Sequence, residues 1–193
     1  VVNDDSADID FRVESNNNAN MIFVDGGNDH VNIGTSTDHG GVLNVESTDN
    51  TATLVLVSTD DDENVGPVLN LTRNSASPAD LDLLGEINFF GKNDAGENIP
   101  YALIDSRIRD ASDGTEAGRL RFATFLNGSE FSRMDMDSDE TVFNEGGTDI
   151  NFRVEGNTDT ALFFVDASED SVMIDSTGIG ADSKFSVNGT KAG

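Results

Sequence analysis

The stretch Asp8–Ile33, DIDFRVESNNNANMIFVDGGNDHVNI, returns as Asp149–Ile174, DINFRVEGNTDTALFFVDASEDSVMI, at a constant offset and with no gap. Thirteen of the 26 aligned positions are identical. Where the residue changes, the apolar character stays: Met21 becomes Leu162 and Ile22 becomes Phe163. A chain that repeats itself is built from modules, and this bounds every fold it can adopt. A shorter unit lies inside the long one. Phe11-Arg12-Val13-Glu14-Ser15 is echoed by Leu43-Asn44-Val45-Glu46-Ser47. At nearly the same spacing, Phe152-Arg153-Val154-Glu155-Gly156 is echoed by Phe185-Ser186-Val187-Asn188-Gly189.

Within the repeat, Ile9, Phe11 and Val13 alternate with Asp10, Arg12 and Glu14, which predicts a strand with one buried face. Arg12 and Glu14 then share the opposite face and are placed to pair. Asn16-Asn17-Asn18 and Asp25-Gly26-Gly27-Asn28 read as turns. Met21–Val24 is an apolar run expected to be covered on both sides. Val31 and Ile33 alternate again, and Gly34 ends that strand. Further on, Leu54-Val55-Leu56-Val57 and the alternating Val68–Arg73 are expected as strands, separated by the acidic turn Asp60-Asp61-Asp62-Glu63.

The middle of the chain has a different texture. Gly85–Gly91 predicts a strand between glycines, and Asn93–Glu97 a turn. Tyr101–Arg109 fits a strand or a short helix, and the strands around it favour the strand. Asn127-Gly128 is the strongest short hairpin signal, because both residues accept positive φ. Met134 and Met136 alternate with Asp135 and Asp137, and Gly146-Gly147 leads into the second long copy. No long stripe of period 3.6 with caps is present. The fold class expected is all-β. Residues 1–73 form N-terminal β-repeat units, 74–146 a central β-module and 147–193 C-terminal β-repeat units.

The strands offer narrow apolar faces and many edges, so partners are expected to complete them. A monomeric sandwich or solenoid and an elongated rod of three intertwined chains both accommodate the repeats. A three-chain triple β-helix or β-prism-like rod answers both needs, with Phe11, Leu43, Phe152 and Phe185 pointing at the shared axis. The remaining Phe residues are expected as core.

Charge and composition exclude several functions. The net charge is −26, from 37 acidic and 11 basic residues. That field repels nucleic-acid phosphates and anionic membranes. There is no cysteine, hence no disulfide and no thiolate chemistry. No apolar run approaches about 18 residues, so no membrane insertion is expected. The start shows no secretory leader and no initiator Met, as expected of a fragment or a processed product.

The chain resembles shaft segments of bacteriophage tail fibres, those of marine and cyanobacterial phages in particular. The resemblance rests on DFRVESN (10–16) with MIFVDGGNDHVNIG (21–34), and on DINFRVEGN (149–157) with LFFVD (162–166). It continues through GPVLNLTRNSASPADLDLLGEINFFGKNDAGENIPYALIDSRI (66–108), DGTEAGRLRF (113–122), Asn127-Gly128, RMDMDSDE (133–140) and FSVNG (185–189). It covers most of the chain and is specific for strand-and-turn pattern rather than for ligand. It implies a homotrimer on a virion, outside the cell, with other tail components as partners and host-surface glycan as a target. Some such fibres carry a C-terminal chaperone released by self-cleavage, and FSVNGTKAG resembles the lead-in to one. A bacterial or archaeal surface adhesin or filament subunit is the alternative, and a polysaccharide-degrading fibre a more distant one.

No catalytic, cofactor-binding or metal-ligating residue is assigned from the sequence. Asp135, Asp137 and Asp139 open like a calcium loop, but Glu140 stands where the loop needs Gly and Gly146 where it needs Glu. Gly26-Gly27-Asn28-Asp29 is similar to a calcium nonapeptide, yet its copy reads Ala167-Ser168-Glu169-Asp170. Asp60–Glu63 is expected as a solvated turn. His30 corresponds to Ser171, so it has no role common to both copies, and His39 lies in no ligand motif. No nucleophile elbow or phosphate loop occurs. Glycan hydrolysis needs a carboxylate pair about 5–10 Å apart across a cleft. With 37 carboxylates, abundance singles out none. Tyr101 is the only tyrosine to offer a sugar.

Overall fold

The computed structural model describes residue 3 and residues 5–174; the echo at Phe185 lies outside them. The described residues form an all-β, multi-sheet, non-barrel fold. The chain divides into two compact units, Val1–Leu69 and Asn70–Gly193.

The first unit holds a four-stranded sheet in the order β1-β2-β3-β4: Phe11–Val13, Ile22–Asp25, His30–Ile33 and Leu43–Val45. The first three strands form an antiparallel meander, with Phe11 opposite Val24 and Val24 opposite Val31. The turn between β2 and β3 is closed by Asp25, whose Oδ1 accepts the N–H groups of Gly27 and Asn28 at 3.0 and 2.9 Å. β4 pairs with β3 in parallel, Asn32 opposite Asn44. Parallel neighbours usually need a crossover of about a dozen residues or more. Here residues 34–42 suffice, because side chains pin the loop. Asn44 Nδ2 donates to Asn32 Oδ1 at 2.7 Å and to the Gly41 carbonyl at 2.9 Å.

The second unit begins with a five-stranded antiparallel sheet, β5-β6-β7-β8-β9, spanning Leu83–Lys92, Asn98–Asp110, Ala117–Leu126, Ser129–Met136 and Thr141–Phe143. Tyr101–Arg109 lies wholly inside β6 and is strand. Asn127 and Gly128, at φ 52° and 78°, make the two-residue turn between β7 and β8. A three-stranded sheet follows, β10-β11-β12, at Phe152–Val154, Phe163–Asp166 and Ser171–Ile174. Its registers copy those of β1-β2-β3 at the same offset: Phe152 faces Val165, and Phe163 faces Ile174. The sequence repeat is therefore a repeat of register as well as of residues.

Two expectations are corrected. Leu54–Val57 and Val68–Arg73 join no ladder. Their apolar pattern is local, whereas a strand also needs a neighbour at hydrogen-bonding distance, and none of the described residues supplies one. Leu71 instead packs on the face of β5, where a Cβ on Gly85 would lie 2.9 Å from the Leu71 Cβ.

Two of the left-handed glycines, Gly34 and Gly128, differ in surroundings. A Cβ on Gly34 would collide with the Glu46 carbonyl oxygen, whereas one on Gly128 would meet nothing within 4 Å. Gly128→Ala is expected to cost about 1–2 kcal/mol of stability, the left-handed penalty alone. Gly34→Ala is expected to cost more and to expose the amide of Glu46, which bonds the Ile33 carbonyl at 3.0 Å. Chemical denaturation with residue-resolved amide exchange measures both; equal costs would contradict the close approach.

Candidate functional site

The registers sort side chains onto faces. In the first sheet Phe11, Val24, Val31 and Leu43 form one row, and Val13, Ile22, Ile33 and Val45 form the next row on the same side. All eight are apolar, and six of them are exposed: Phe11, Val13, Ile22, Ile33, Leu43 and Val45. The opposite side carries Arg12, Phe23, Asn32 and Asn44. Asn32 there is fully buried at 0% exposure, while Leu43 on the apolar side is 61% exposed. This sheet hides amides and shows hydrocarbon, the reverse of a finished globular layer.

The five-stranded sheet has the same two-sidedness. Ile87, Ile104, Phe122, Met134 and Phe143 make an unbroken apolar row across all five strands. One residue along, Glu86, Asp105, Arg121, Asp135 and Val142 make a row on the other face. Here ion pairs are shielded. Arg121 clamps Asp105 and also reaches Glu130, and Arg119 holds both oxygens of Asp135. Asp105 is 1% exposed, and its Oδ1 has no hydrogen-bond partner among the described residues. Burial opposes the Arg121 charge, but hydrogen bonds and charge from Asp105 and Glu130 outweigh it and raise its pKa above the ordinary arginine value.

Among the described residues the buried apolar side chains are Leu103, Ala123, Ala161 and Met173, and none is Phe. The expectation of a phenylalanine core is therefore corrected for the described residues: none of their sheets forms a second layer over the faces that carry the rings. Phe152, expected at an axis between chains, lies in an intramolecular cluster. Its ring centroid is 4.7 Å from that of Phe143 and 6.2 Å from that of Phe163. The cluster ties β9 to the last sheet. Phe11, its counterpart, remains exposed.

The two copies also build the same cleft. In the first, Asn3, Ser6, Ala7, Val24, Asp25, Gly26, Asp29, His30 and Val31 line a space of about 470 Å³, together with Ile9 and Phe11. In the second, Asn144, Gly147, Thr148, Val165, Asp166, Ala167, Asp170, Ser171 and Val172 line about 350 Å³. Every residue of the second cleft stands at the repeat offset from one of the first. The closing turn recurs too. Asn3 Nδ2 donates to the Ala7 carbonyl at 2.6 Å, and Asn144 Nδ2 to the Thr148 carbonyl at 2.7 Å. Asn3 and Asn144 share a left-handed backbone, at φ 62° and 64°. The structural repeat thus begins at Asn3, before the stretch that sequence similarity marks. From Asn3 through Ala7, Asn3 with Asn144 is the only identity between the copies.

Of the candidate metal ligands, Asp135 is taken by Arg119, and Asp137 pairs with Arg109 at 2.7 Å. The Ser138 N–H, and then Arg109, hold the Asp137 carboxyl below the ordinary range against the effect of burial. Asp60–Glu63 is an exposed stretch. The sequence reading missed one cluster: ligand atoms of Asp8, Asp10 and Asp25 lie within 4.8 Å of one another. The β1–β2 register, Phe11 opposite Val24, implies that Asp10 comes to Asp25. Two of these carboxylates serve the turn: Asp10 Oδ1 accepts from the Gly26 N–H at 3.1 Å, and Asp25 accepts from Gly27 and Asn28. The side-chain amide of Asn28 chiefly lowers the Asp25 pKa.

Both histidines meet carboxylates around the β3–β4 crossover, His30 with Asp38 at 3.1 Å and His39 with Glu46 at 3.0 Å. Tyr101 is exposed and lies against Gly91. No nucleophile–base pair emerges among these residues. Arg12 pairs with Glu14 at 2.5 Å and Arg153 with Glu155 at 2.6 Å, as the alternation implied.

Comparison with family models, curated proteins and solved structures finds no match.

The charges generate two predictions. Arg121→Ala leaves Asp105 buried without its cation and is expected to cost about 3–5 kcal/mol. Arg153→Ala, in an exposed pair, is expected to change stability by less than about 1 kcal/mol. Urea denaturation compares them, and equal losses would mean the ionic row is solvated. The second concerns acid. The Gly40 N–H, then His30, lower the Asp38 pKa against burial, and hydrogen bonds from His39 and then Thr35 lower that of Glu46. A depressed carboxylate pKa gives stability that is complete above the unfolded value, about 4, and is lost as pH falls through the folded value. Acidification below about pH 4 is expected to loosen β4 from β3. Rising exchange at the Glu46 amide, corrected for intrinsic rate, would register it; unchanged protection would refute it.

Proposed function

We propose that this chain is a non-enzymatic structural segment of a homotrimeric β-fibre, of the phage tail-fibre type it resembles. The observation that carries the reading is the apolar face of the first sheet, where six of eight side chains lie exposed. Burying hydrocarbon is worth about 25 cal/mol per Å², so such a face drives association until it is covered. Three copies arranged about an axis cover one another's faces and leave the acidic turns outward, as a triple β-helix or β-prism. Rigidity is the function: the rod holds a host-binding tip away from the virion. Other tail components are its partners along the fibre, and host-surface glycan is what the fibre addresses. A charge of −26 per copy keeps the assembled rod soluble and off nucleic acid.

Sedimentation mass together with electron microscopy of the purified chain tests this. The expected particle is a trimer forming a rod on the order of 90 Å long, from rungs stacked at about 4.8 Å. A compact monomer, with a radius of gyration of about 16 Å, would overturn it. Leu43→Asp is expected to leave strand content intact and abolish the trimer, because it places a charge on the uncovered face.

A further inference from the structure

The latter part of the first unit carries an unfinished strand. Leu54, Val55, Leu56 and Val57 are four consecutive apolar residues, and their exposures run from 47% to 72%. In a strand, consecutive side chains point to opposite faces, so this run is apolar on both sides. Such a run suits a strand covered on both faces. Among the described residues it has neither cover nor ladder: no backbone-to-backbone hydrogen bond involves residues 54–57. Val65, Val68 and Leu69, beyond the acidic turn, are exposed as well.

We propose that Leu54–Val57 is a strand formed only between copies of this chain, each copy's segment pairing with the same segment of its neighbour. The inference rests on the homo-oligomeric reading above and names a site within it. The occupant follows from the area. At roughly 60–120 Å² per fully buried Val or Leu, these seven side chains offer on the order of 400 Å² of apolar surface per copy. A stable interface takes about 800 Å² per partner, somewhat more than half of it apolar. Leu54–Val57 together with Val65, Val68 and Leu69 thus supply most of the hydrocarbon that one self-interface needs. The segment's own copies are matched to it in length and in having both faces apolar.

Charge adds a second consequence. Asp60, Asp61, Asp62 and Glu63 sit between the two apolar runs, so parallel, in-register pairing brings these acidic groups together from every copy. That repulsion acts through water and is screened by salt, with a Debye length of about 30 Å at 0.01 M and about 3 Å at 1 M. Ordering of this strand is therefore tied to ionic strength.

Hydrogen–deuterium exchange of the full chain, at concentrations spanning assembly and in low and high sodium chloride, tests the proposal alongside sedimentation. The expected result is that amides 54–57 are unprotected in the monomer and protected at least a hundredfold in the assembly. Half-assembly is expected at lower protein concentration in high salt. Leu56→Asp is expected to raise the half-assembly concentration at least tenfold with the monomer's circular dichroism unchanged. D61N/D62N is expected to lower the salt required. An assembly in which amides 54–57 stay unprotected, or an unaltered Leu56→Asp midpoint, overturns this strand and leaves the fibre reading standing. A chain that stays monomeric under every condition overturns both.

Discussion

Hydrophobic faces over which the described residues place no second layer govern this molecule. A sheet buries one face against something, or it does not persist as an isolated layer in water. Here the alternation of strand residues gathers hydrocarbon on one side of the four-stranded and the five-stranded sheet. The row Ile87, Ile104, Phe122, Met134 and Phe143 crosses five strands unbroken. Yet the largest side chains that are fully buried are Asn32 and Asp105. Among the described residues, what is most shielded is the polar side. There, amides bond amides, and arginines cover carboxylates. The apolar sides are left for whatever meets them.

The ionic row shows how an acidic chain uses its few cations. Eleven basic residues serve 37 acids, and Arg107, Arg109, Arg119, Arg121 and Arg133 all fall in β6, β7 and β8. The guanidinium groups of Arg119 and Arg121 cap the buried carboxylates of Asp135 and Asp105. A buried pair of this kind contributes little net stability over an apolar substitute, and breaking it is costly. It fixes register instead, because sliding β7 by one residue against β6 would strand Asp105 among hydrocarbon. The acid-rich turns elsewhere need no such partners, since water and backbone N–H groups satisfy them.

Much of this is legible in the residues. Period-two alternation locates the strands, and Asn-Gly and Asp-Gly pairs locate the turns, because both signals are local physics. Leu54–Val57 is an unbroken apolar run with a local strand signal, yet it forms no strand, since a ladder is a property of two segments and the described residues supply only one. The alternation puts Phe152 on an apolar face, but Phe143 reaches it first within the chain. The ionic row is hidden because Tyr101–Arg109 fits two periodicities until its neighbours are known. The clefts are hidden because their closing turn keeps only Asn3 and Asn144 in common, and what matters there is backbone conformation. The Asp8–Asp10–Asp25 cluster needs the register of β1 on β2, which the alternation implies but does not state.

Two hairpins with identical registers in one chain invite confusion, since either could fold into the other's place. Position 32 and its equivalent at 173 answer that difficulty. Both are buried, yet one is Asn and the other Met. The Asn32 side-chain oxygen finds its donor only where Asn44 stands beside it, at 2.7 Å on a parallel neighbour. A first-copy hairpin docked in the wrong place would bury that oxygen with no donor as well, at a cost of about 1–3 kcal/mol. That one buried amide thus works as an address label, keeping twin modules in their own berths during folding.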